Sequence, residues 1–364
     1  MKYRTNSGID KLWLSKRAAI RKKSKKTRAA PADENKWVAS ARFIEEHPIT
    51  RLLAVAGIIS ALIAFSFDYM DRKEARMARA WQLVTAASPG NSGKVTAIEF
   101  LFENGVDLDG IDLSCVSNGG RPNDTKDNSI PDSNCEPAVY LKNLTLVGNH
   151  STKGSFFNNS KLQGANLENS YFGNGNIQNA DFSYTNLVRS HFSNISLDRV
   201  IFDNSNLAHA TFEKLSLQFD RGTSFRNCDC VSITFKQSYL TNLSFRRASL
   251  DFAKFTDVDI EALDFETASL VHADFSSATF FSSDESQDST NFKDANLSAV
   301  DFRGANFLTP AIFEGAYAVD TRPPMGLDDK NLRQIELCSA KLIPPRKSRS
   351  EFEKIGRCQW RRLE

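Results

Sequence analysis

Four groups of residues in this chain are of types that chemistry uses. Gly90 to Lys94, "GNSGK", invites comparison with a phosphate-binding loop. Such a loop needs four residues between its first glycine and its Gly-Lys pair, followed by a hydroxyl residue for the magnesium ion. Here Gly90 stands only three positions from Gly93, and Val95 follows Lys94. The stretch reads instead as the start of a helix, capped by Ser92 and stopped by Gly105. The second group is six cysteines: Cys115 and Cys135, twenty apart around a Gly/Asn/Asp/Pro-rich loop; Cys338 and Cys358, again twenty apart; and Cys228 with Cys230. Without a paired C-x2-C spacing they form no zinc site. Cys115, Cys135, Cys338 and Cys358 are disulfide candidates, which would require an oxidising compartment; free thiols in a reducing one are the alternative.

The third group is His191, His209 and His272, each of which would act as a general base only beside a nucleophile. They are scattered, and no serine or cysteine is set against them. The last group is Asp257, Asp259 and Glu261, alternating as acids do on a solvated strand and, less often, at a general-acid site. Nothing converges. No catalytic, cofactor-binding or metal-ligating residue is assigned, and no cofactor is expected.

The surroundings of these residues divide by charge. The 364 residues carry a formal net charge of only +2, with 41% hydrophobic and 25% charged residues. Residues 1–51, however, hold 14 Lys and Arg against 5 Asp and Glu, whereas residues 157–317 hold 12 basic against 20 acidic, a net of −8. The basic run "KLWLSKRAAIRKKSKKTR" lacks an apolar stripe and reads as a disordered, solvated tail, with attraction to anionic lipid or nucleic acid as the second reading.

Leu52 to Phe67 then gives sixteen residues without a charge, extended past Asp68 by Tyr69 and Met70. Sixteen residues of helix span roughly 24 Å, slightly short of a hydrocarbon core of about 30 Å. The segment is apolar on all sides and charged at both flanks, which predicts a single transmembrane helix over 52–70. It starts too far into the chain for a cleavable signal, and no small-x-small site follows. Basic residues near the span are almost balanced, Lys36, Arg42 and Arg51 against Arg72, Lys73, Arg76 and Arg79. The strongly basic tail tips the reading toward a cytoplasmic amino end. The expected organisation is a tail over 1–51, the anchor, a juxtamembrane helix and cap over 71–156, a repeat domain over 157–317, and a carboxyl cap and tail over 318–364.

The repeat domain returns a bulky apolar residue every fifth position, a period that belongs to neither helix nor simple strand. From Phe157 the centres fall at Leu162, Leu167, Phe172, Ile177, Phe182 and on to Leu217; they resume at Phe225, pass through Cys230 to Phe280, and end with Phe292, Leu297, Phe302, Phe307 and Ile312. Two residues before each centre stands a generally small residue, such as Ala165, Ser170, Gly175 or Ala180; Ile195, Val200 and Leu215 are larger. A chain that turns a corner every five residues sends both of these inward, and twenty residues complete a coil that stacks on the next at roughly 4.8 Å. Some thirty steps make a rod of roughly 36 Å.

This pattern, written as "GANLE", "NADFS", "KDANLS" and "RGANF", resembles the pentapeptide-repeat family. The resemblance implies an all-β solenoid, a right-handed quadrilateral β-helix, here with small α-containing caps. It also implies a non-enzymatic binding or structural module, and in some members a mimic of duplex DNA that binds type II topoisomerases.

Leucine-like and phenylalanine centres alternate, so with four sides to a coil Phe stacks over Phe on two opposed sides and Leu over Leu on the others. The alternation reads through both breaks. Three extra residues near "FDRGTS" and seven in "FSSDESQDST" therefore loop outward without changing register. Cys228 and Cys230 fall on inward positions and are expected to be small buried hydrophobes, unbonded.

The function these features support is a membrane-anchored scaffold that holds a mildly acidic rod off a bacterial inner membrane, single-pass and periplasmic, to bind an unidentified protein. The alternative is a topoisomerase-binding DNA mimic. Arg189, Arg199, Arg246 and Arg247 dilute its negative charge, and nucleic acid itself is not an expected partner.

Overall fold

The computed structural model describes residues 48–88, 92–118, 121–122, 135–136, 138–148, 154–217, 222–282, 289–319 and 323–338. Two compact units divide the chain, Met1–Glu74 and Ala75–Glu364. A helix covers Pro48–Thr85, with its proline in the first turn, where the missing N–H costs nothing. The apolar side chains from Leu52 to Met70 are bare: Leu52 is 72% exposed and Ile63 49%. Arg51–Thr85 is one helix long and apolar enough to cross a membrane.

In the second unit Ala80 and Val84, near the end of that helix, join one apolar core with Ala97, Ile98, Leu101 and Phe102 of the helix Lys94–Glu103. Ser92 does not cap this second helix. Gly93 is the cap residue, in the left-handed region at φ 78°, while Gly105, at φ 74°, ends the helix as the sequence suggests.

Lys94 has a different task from the one its motif suggests. Its side chain is buried, and Nζ donates to the carbonyls of Val84 and Ala86 at 2.7 Å and of Leu83 at 3.1 Å. These belong to the last turn of the first helix, whose carbonyls have no partner within the helix and carry its negative end. Burial holds the Lys94 ammonium below the ordinary lysine range.

From Asp112 the chain coils. Parallel bridges and strands join each residue to one about twenty further on and sort the inward centres into four columns. Side one carries Leu113, Leu162, Phe182, Phe202, Phe225, Phe245, Phe265, Phe292 and Phe313; side three carries Leu146, Phe172, Phe192, Phe212, Phe235, Phe255, Phe275 and Phe302. Between them, side two carries Leu141, Leu167, Leu187, Leu207, Cys230, Leu250, Leu270, Leu297 and Ala318. Side four carries Phe156, Ile177, Leu197, Leu217, Leu240, Ile260, Phe280 and Phe307.

Rings stack along each Phe column, for example at 4.6 Å between Phe192 and Phe212 and 4.8 Å between Phe202 and Phe225. The two columns meet edge to face across the axis, Phe202 against Phe212 at 6.0 Å and Phe255 against Phe265 at 5.9 Å. Each aromatic contact contributes about 0.5 to 1.5 kcal/mol beyond the burial itself.

The inward residue two before the centre must be small where the coil is tightest. A Cβ on Gly175 would lie 2.1 Å from the Gly154 carbonyl and 2.2 Å from the Phe156 ring. Hydroxyls in this slot satisfy themselves locally, Thr185 and Ser205 each donating at 2.6 Å to the carbonyl three residues back.

Four expectations are corrected. The first coil starts before 157: Asp112, Tyr140, Thr145–Val147 and Ser155 already pair with the next coil, so part of the expected cap is solenoid. Phe156 is the centre stacked over Ile177, with Phe157 beside it and also buried, because that corner holds one residue more than five. The same happens at the far end, where Phe313 stacks on Phe292 at 5.2 Å and Ile312 faces outward. The stretch Gly326–Cys338, "GLDDKNLRQIELC", reads in sequence as one short helix covering the end of the rod; it is instead a helix of four residues, Asp329–Leu332, capped by Asp328, and a strand, Glu336–Cys338, that pairs in parallel with Tyr317–Val319.

Both long breaks keep register as read. Phe202 stacks on Phe225, and Phe265 on Phe292 at 5.0 Å, so each insertion leaves the coils above and below aligned.

Two measurements on the full-length chain check this account. Deleting Asp284–Ser289 or one whole coil, Ser244–Leu263, should leave the thermal midpoint close to that of the parent. Deleting Ala248–Phe252 should lower it strongly, because Phe columns would then sit on Leu columns, at about 1 to 3 kcal/mol for each overpacked site. An equal midpoint for the five- and twenty-residue deletions would refute the columns. Lys94→Met, which keeps the apolar stem but strands the Leu83 and Val84 carbonyls, should cost about 1 to 3 kcal/mol in denaturant titration.

Candidate interaction surface

Each step presents three positions outward, and the backbone explains their residue types. The position before the centre favours Asp or Asn because its side-chain oxygen accepts the N–H two residues on. Asp181 does this for Ser183 at 2.9 Å, Asp274 for Ser276 at 2.9 Å and Asn291 for Lys293 at 2.9 Å. The second position after the centre turns the corner in the left-handed region, φ 58° at Asn169 and 57° at Asn174, a conformation Asn tolerates better than most residues. At two corners the asparagines also bond coil to coil, Asn179 to Asn159 and Asn194 to Asn174, each at 3.0 Å.

The remaining outward position, just after the centre, is charged from Asp203 to Glu314 on side one and at Glu213, Lys236 and Arg303 on side three. Arg246 reaches Glu266 at 2.8 Å and Asp264 at 3.5 Å, and Lys293 reaches Glu314 at 3.7 Å. On side three Lys236 reaches Glu213 at 3.2 Å, and this bond holds the Glu213 carboxyl below its ordinary range. Such exposed pairs contribute little stability, but they neutralise the rod locally.

The candidate residues do not come together. Asp257 sits at a corner, φ 52°, and its N–H donates to the Ser277 hydroxyl at 2.9 Å. Glu261 is turned inward and accepts the Tyr239 phenol. Burial, together with that hydrogen bond, pushes the phenol up to about 12. Asp257 and Asp259 are both exposed, one at a corner and one on the strand before it enters the Ile260 centre, while the Glu261 carboxylate is taken up by Tyr239.

His191 stacks on Tyr171 at 5.2 Å and lies 3.6 Å from Glu213; burial lowers its pKa. His272 stacks on Phe252, and His209 lies at a corner. Among the described residues no group of three or more His, Cys, Asp or Glu is placed to hold a metal ion.

Of the disulfide candidates, Cys115 is buried and disulfide-bonded. Its expected partner Cys135 has only its backbone described, in a two-residue strand antiparallel to Arg121–Pro122; Cys338 likewise, in the terminal strand. Cys358 lies outside the described residues. The reading of Cys228 and Cys230 as unbonded is overturned. They occupy the small slot and the centre of one side, both inward with Cα atoms 5.5 Å apart, and the structure joins them in a disulfide.

One feature escaped the five-residue count. Between Leu162 and Phe313 every step longer than five residues falls between side four and side one: after Leu217, after Phe280 and after Phe307. The signal was present, since counting steps in fours from Leu162 assigns all three breaks to that corner. Leu308, 65% exposed, stands there beside Ile312.

A family model described as pentapeptide repeats matches residues 154–187 and 176–213, with 8 copies. No curated protein matches the chain. Among solved structures it is similar to HetL, a pentapeptide repeat protein involved in heterocyst differentiation regulation from the cyanobacterium Nostoc sp. strain PCC 7120, at 16% identity over 62% of this chain and 95% of that one, TM-score 0.31. It is also similar to QnrB1, a plasmid-mediated fluoroquinolone resistance protein, at 15% identity over 45% and 91%, TM-score 0.25. Four inward columns, a twenty-residue return and the matched repeats over residues 154–213 make this solenoid a β-helix of pentapeptide repeats.

Proposed function

We propose that the chain is a non-enzymatic scaffold, anchored in a bacterial inner membrane by residues 52–70, that offers the loop-bearing corner of its solenoid to another protein. One observation carries this reading: the steps longer than five residues between Leu162 and Phe313 share one corner, although the break between Leu113 and Leu141 shows that another corner accommodates extra residues as well. In repeat proteins such insertions map to one face, often the binding face. The bare apolar helix supports the anchor, and the basic tail supports an amino end in the cytoplasm with the solenoid in the periplasm. Disulfides at Cys115 and at Cys228–Cys230 agree with an oxidising compartment.

The topoisomerase-binding alternative calls for dense, uncompensated negative charge, and the cross-coil pairs Arg246–Glu266 and Lys236–Glu213 weigh against it.

Three measurements test the proposal. Alkaline phosphatase fused after Glu364 should be active, since the solenoid lies outside the cytoplasm; an inactive fusion reverses the topology. Non-reducing peptide mapping should join Cys228 to Cys230 and Cys115 to Cys135, and full alkylation of all cysteines without reduction removes the compartment argument. Cross-linking in intact cells from a photoreactive residue at Leu308 should capture a discrete envelope protein that the same probe at Thr256, on side three, does not. Equal capture from both positions would deprive the corner of its role.

A further inference from the structure

The helix Pro48–Thr85 runs on beyond the bare apolar stretch that ends at Met70. At about 100° per residue, the side chains past that point sort into separate faces. Met77, Ala80, Trp81 and Val84 share one face and pack into the apolar core. Arg72, Arg76 and Arg79, at i, i+4 and i+7, share another, and all three are exposed. Asp71, Lys73 and Glu74 fall outside that face.

Like charges in a row along a helix repel one another, a mild cost in water. Arg72 is relieved by Asp68, at 2.7 Å. Among the described residues, Arg76 and Arg79 have no acid partner. On the solenoid, by contrast, Arg246 is answered by Glu266 and Lys236 by Glu213. The arginine stripe is therefore charge left uncompensated at one level of the chain.

The helix sets that level. Arg76 lies about 9 Å and Arg79 about 14 Å beyond Met70 along the axis. The headgroup layer of a bilayer fills roughly the first 5 to 8 Å beyond the hydrocarbon. Side chains lean toward the amino end of a helix, here back toward the apolar stretch, so the long arginine stems return their guanidinium groups to the depth of lipid phosphates. A guanidinium offers paired N–H donors that match two phosphate oxygens.

We propose that Arg76 and Arg79, beside Arg72, form a contact site for the phosphate groups of anionic phospholipids in the leaflet from which the helix emerges. Charge complementarity and continuity with the apolar stretch argue for a lipid surface, because a protein anion would have to enter the headgroup layer to reach these side chains. The contact pins the helix in depth and in rotation about its axis. This inference deepens the membrane-anchor reading and rests on it.

The test uses the full-length chain in phosphatidylcholine vesicles that carry a trace of spin-labelled phosphatidylglycerol or of spin-labelled phosphatidylcholine. The motionally restricted fraction of each label gives the relative association, and phosphatidylglycerol should be preferred. Arg76→Gln with Arg79→Gln should lower that preference by about fivefold or more, while Arg76→Lys with Arg79→Lys, which keeps the charge, should retain most of it. Arg189→Gln with Arg247→Gln, on the solenoid, should change nothing. High salt should abolish the preference of the parent chain, a measurement that needs no variant. Carbonate extraction of the same vesicles separates this inference from the reading beneath it. A chain released by carbonate removes the anchor and the lipid contact with it. A retained chain that shows no preference for phosphatidylglycerol, a preference indifferent to salt or to the glutamines, or an equal loss from the solenoid pair would overturn the lipid contact alone.

Discussion

The structure depends on the narrowness of its own interior. Two phenylalanine columns from opposed sides meet edge to face near the axis, as Phe202 and Phe212 do at 6.0 Å, and the sides between them carry mostly leucine-like centres, with Phe156, Phe280 and Phe307 on side four near the two ends. Along each column the rings stack at distances such as 4.8 and 5.0 Å, close to the spacing of hydrogen-bonded strands. Ring stacking and backbone pairing therefore demand the same repeat. A slip of one side would break both at once, which is why extra residues are expelled at corners and never absorbed within a side.

That demand explains the backbone. A right-angled turn every five residues needs a left-handed residue at nearly every corner, including Arg189, Arg247 and Phe252, where the conformation is unfavourable. Asn186 ties down the side that leads to Arg189, while at Arg247 and Phe252, where Ser244 and Ser249 precede the centre, the corner N–H donates to the next coil, to the Glu266 carbonyl at 3.0 Å and the Val271 carbonyl at 2.8 Å; the buried rings would also lose their stacks if a corner relaxed. Local preference and global packing agree at Asn169 and Asn204. They conflict at Phe252, where the packing alone offers no reason for the side chain.

Much of this was legible from residue spacing, because a period of five with a small residue two before the centre allows one inward arrangement. The Leu/Phe alternation carried phase across the breaks, so Phe225 and Phe292 were placed correctly. Spacing failed where a corner holds six residues: Phe156 and Phe157 both satisfy the pattern, and only the strand partner Asn176 distinguishes them. Ile312 was chosen over Phe313 for the same reason. Leu108 and Leu113, five apart, already hint at the repeat, but Leu141 and Leu146 escaped because the step from Leu113 to Leu141 is far longer than five residues, which no fixed period follows. Lys94 was recognised as no phosphate ligand, but its actual partners lie at the end of another helix, and the sequence carries no mark of that contact. The Cys228–Cys230 bond follows from two inward slots on one side, a proximity implicit in the repeat once both slots are seen to face each other.

The separation of core from surface also locates function. Inward residues are dictated by register, so their types report only the fold. Outward residues before the centres and at the corners are constrained by turn chemistry. The position just after the centre is the freest of the five, and differences there between sides carry the most information. On side one it is charged from Asp203 to Glu314, with pairs from coil to coil; on side three Glu213 and Lys236 pair; on side two it includes Val188, Val231 and Val271, with Asp251 bonded to Ser269. A fold requirement acts on all four sides alike. A difference between sides at this position therefore belongs to the surface and not to the packing inside it.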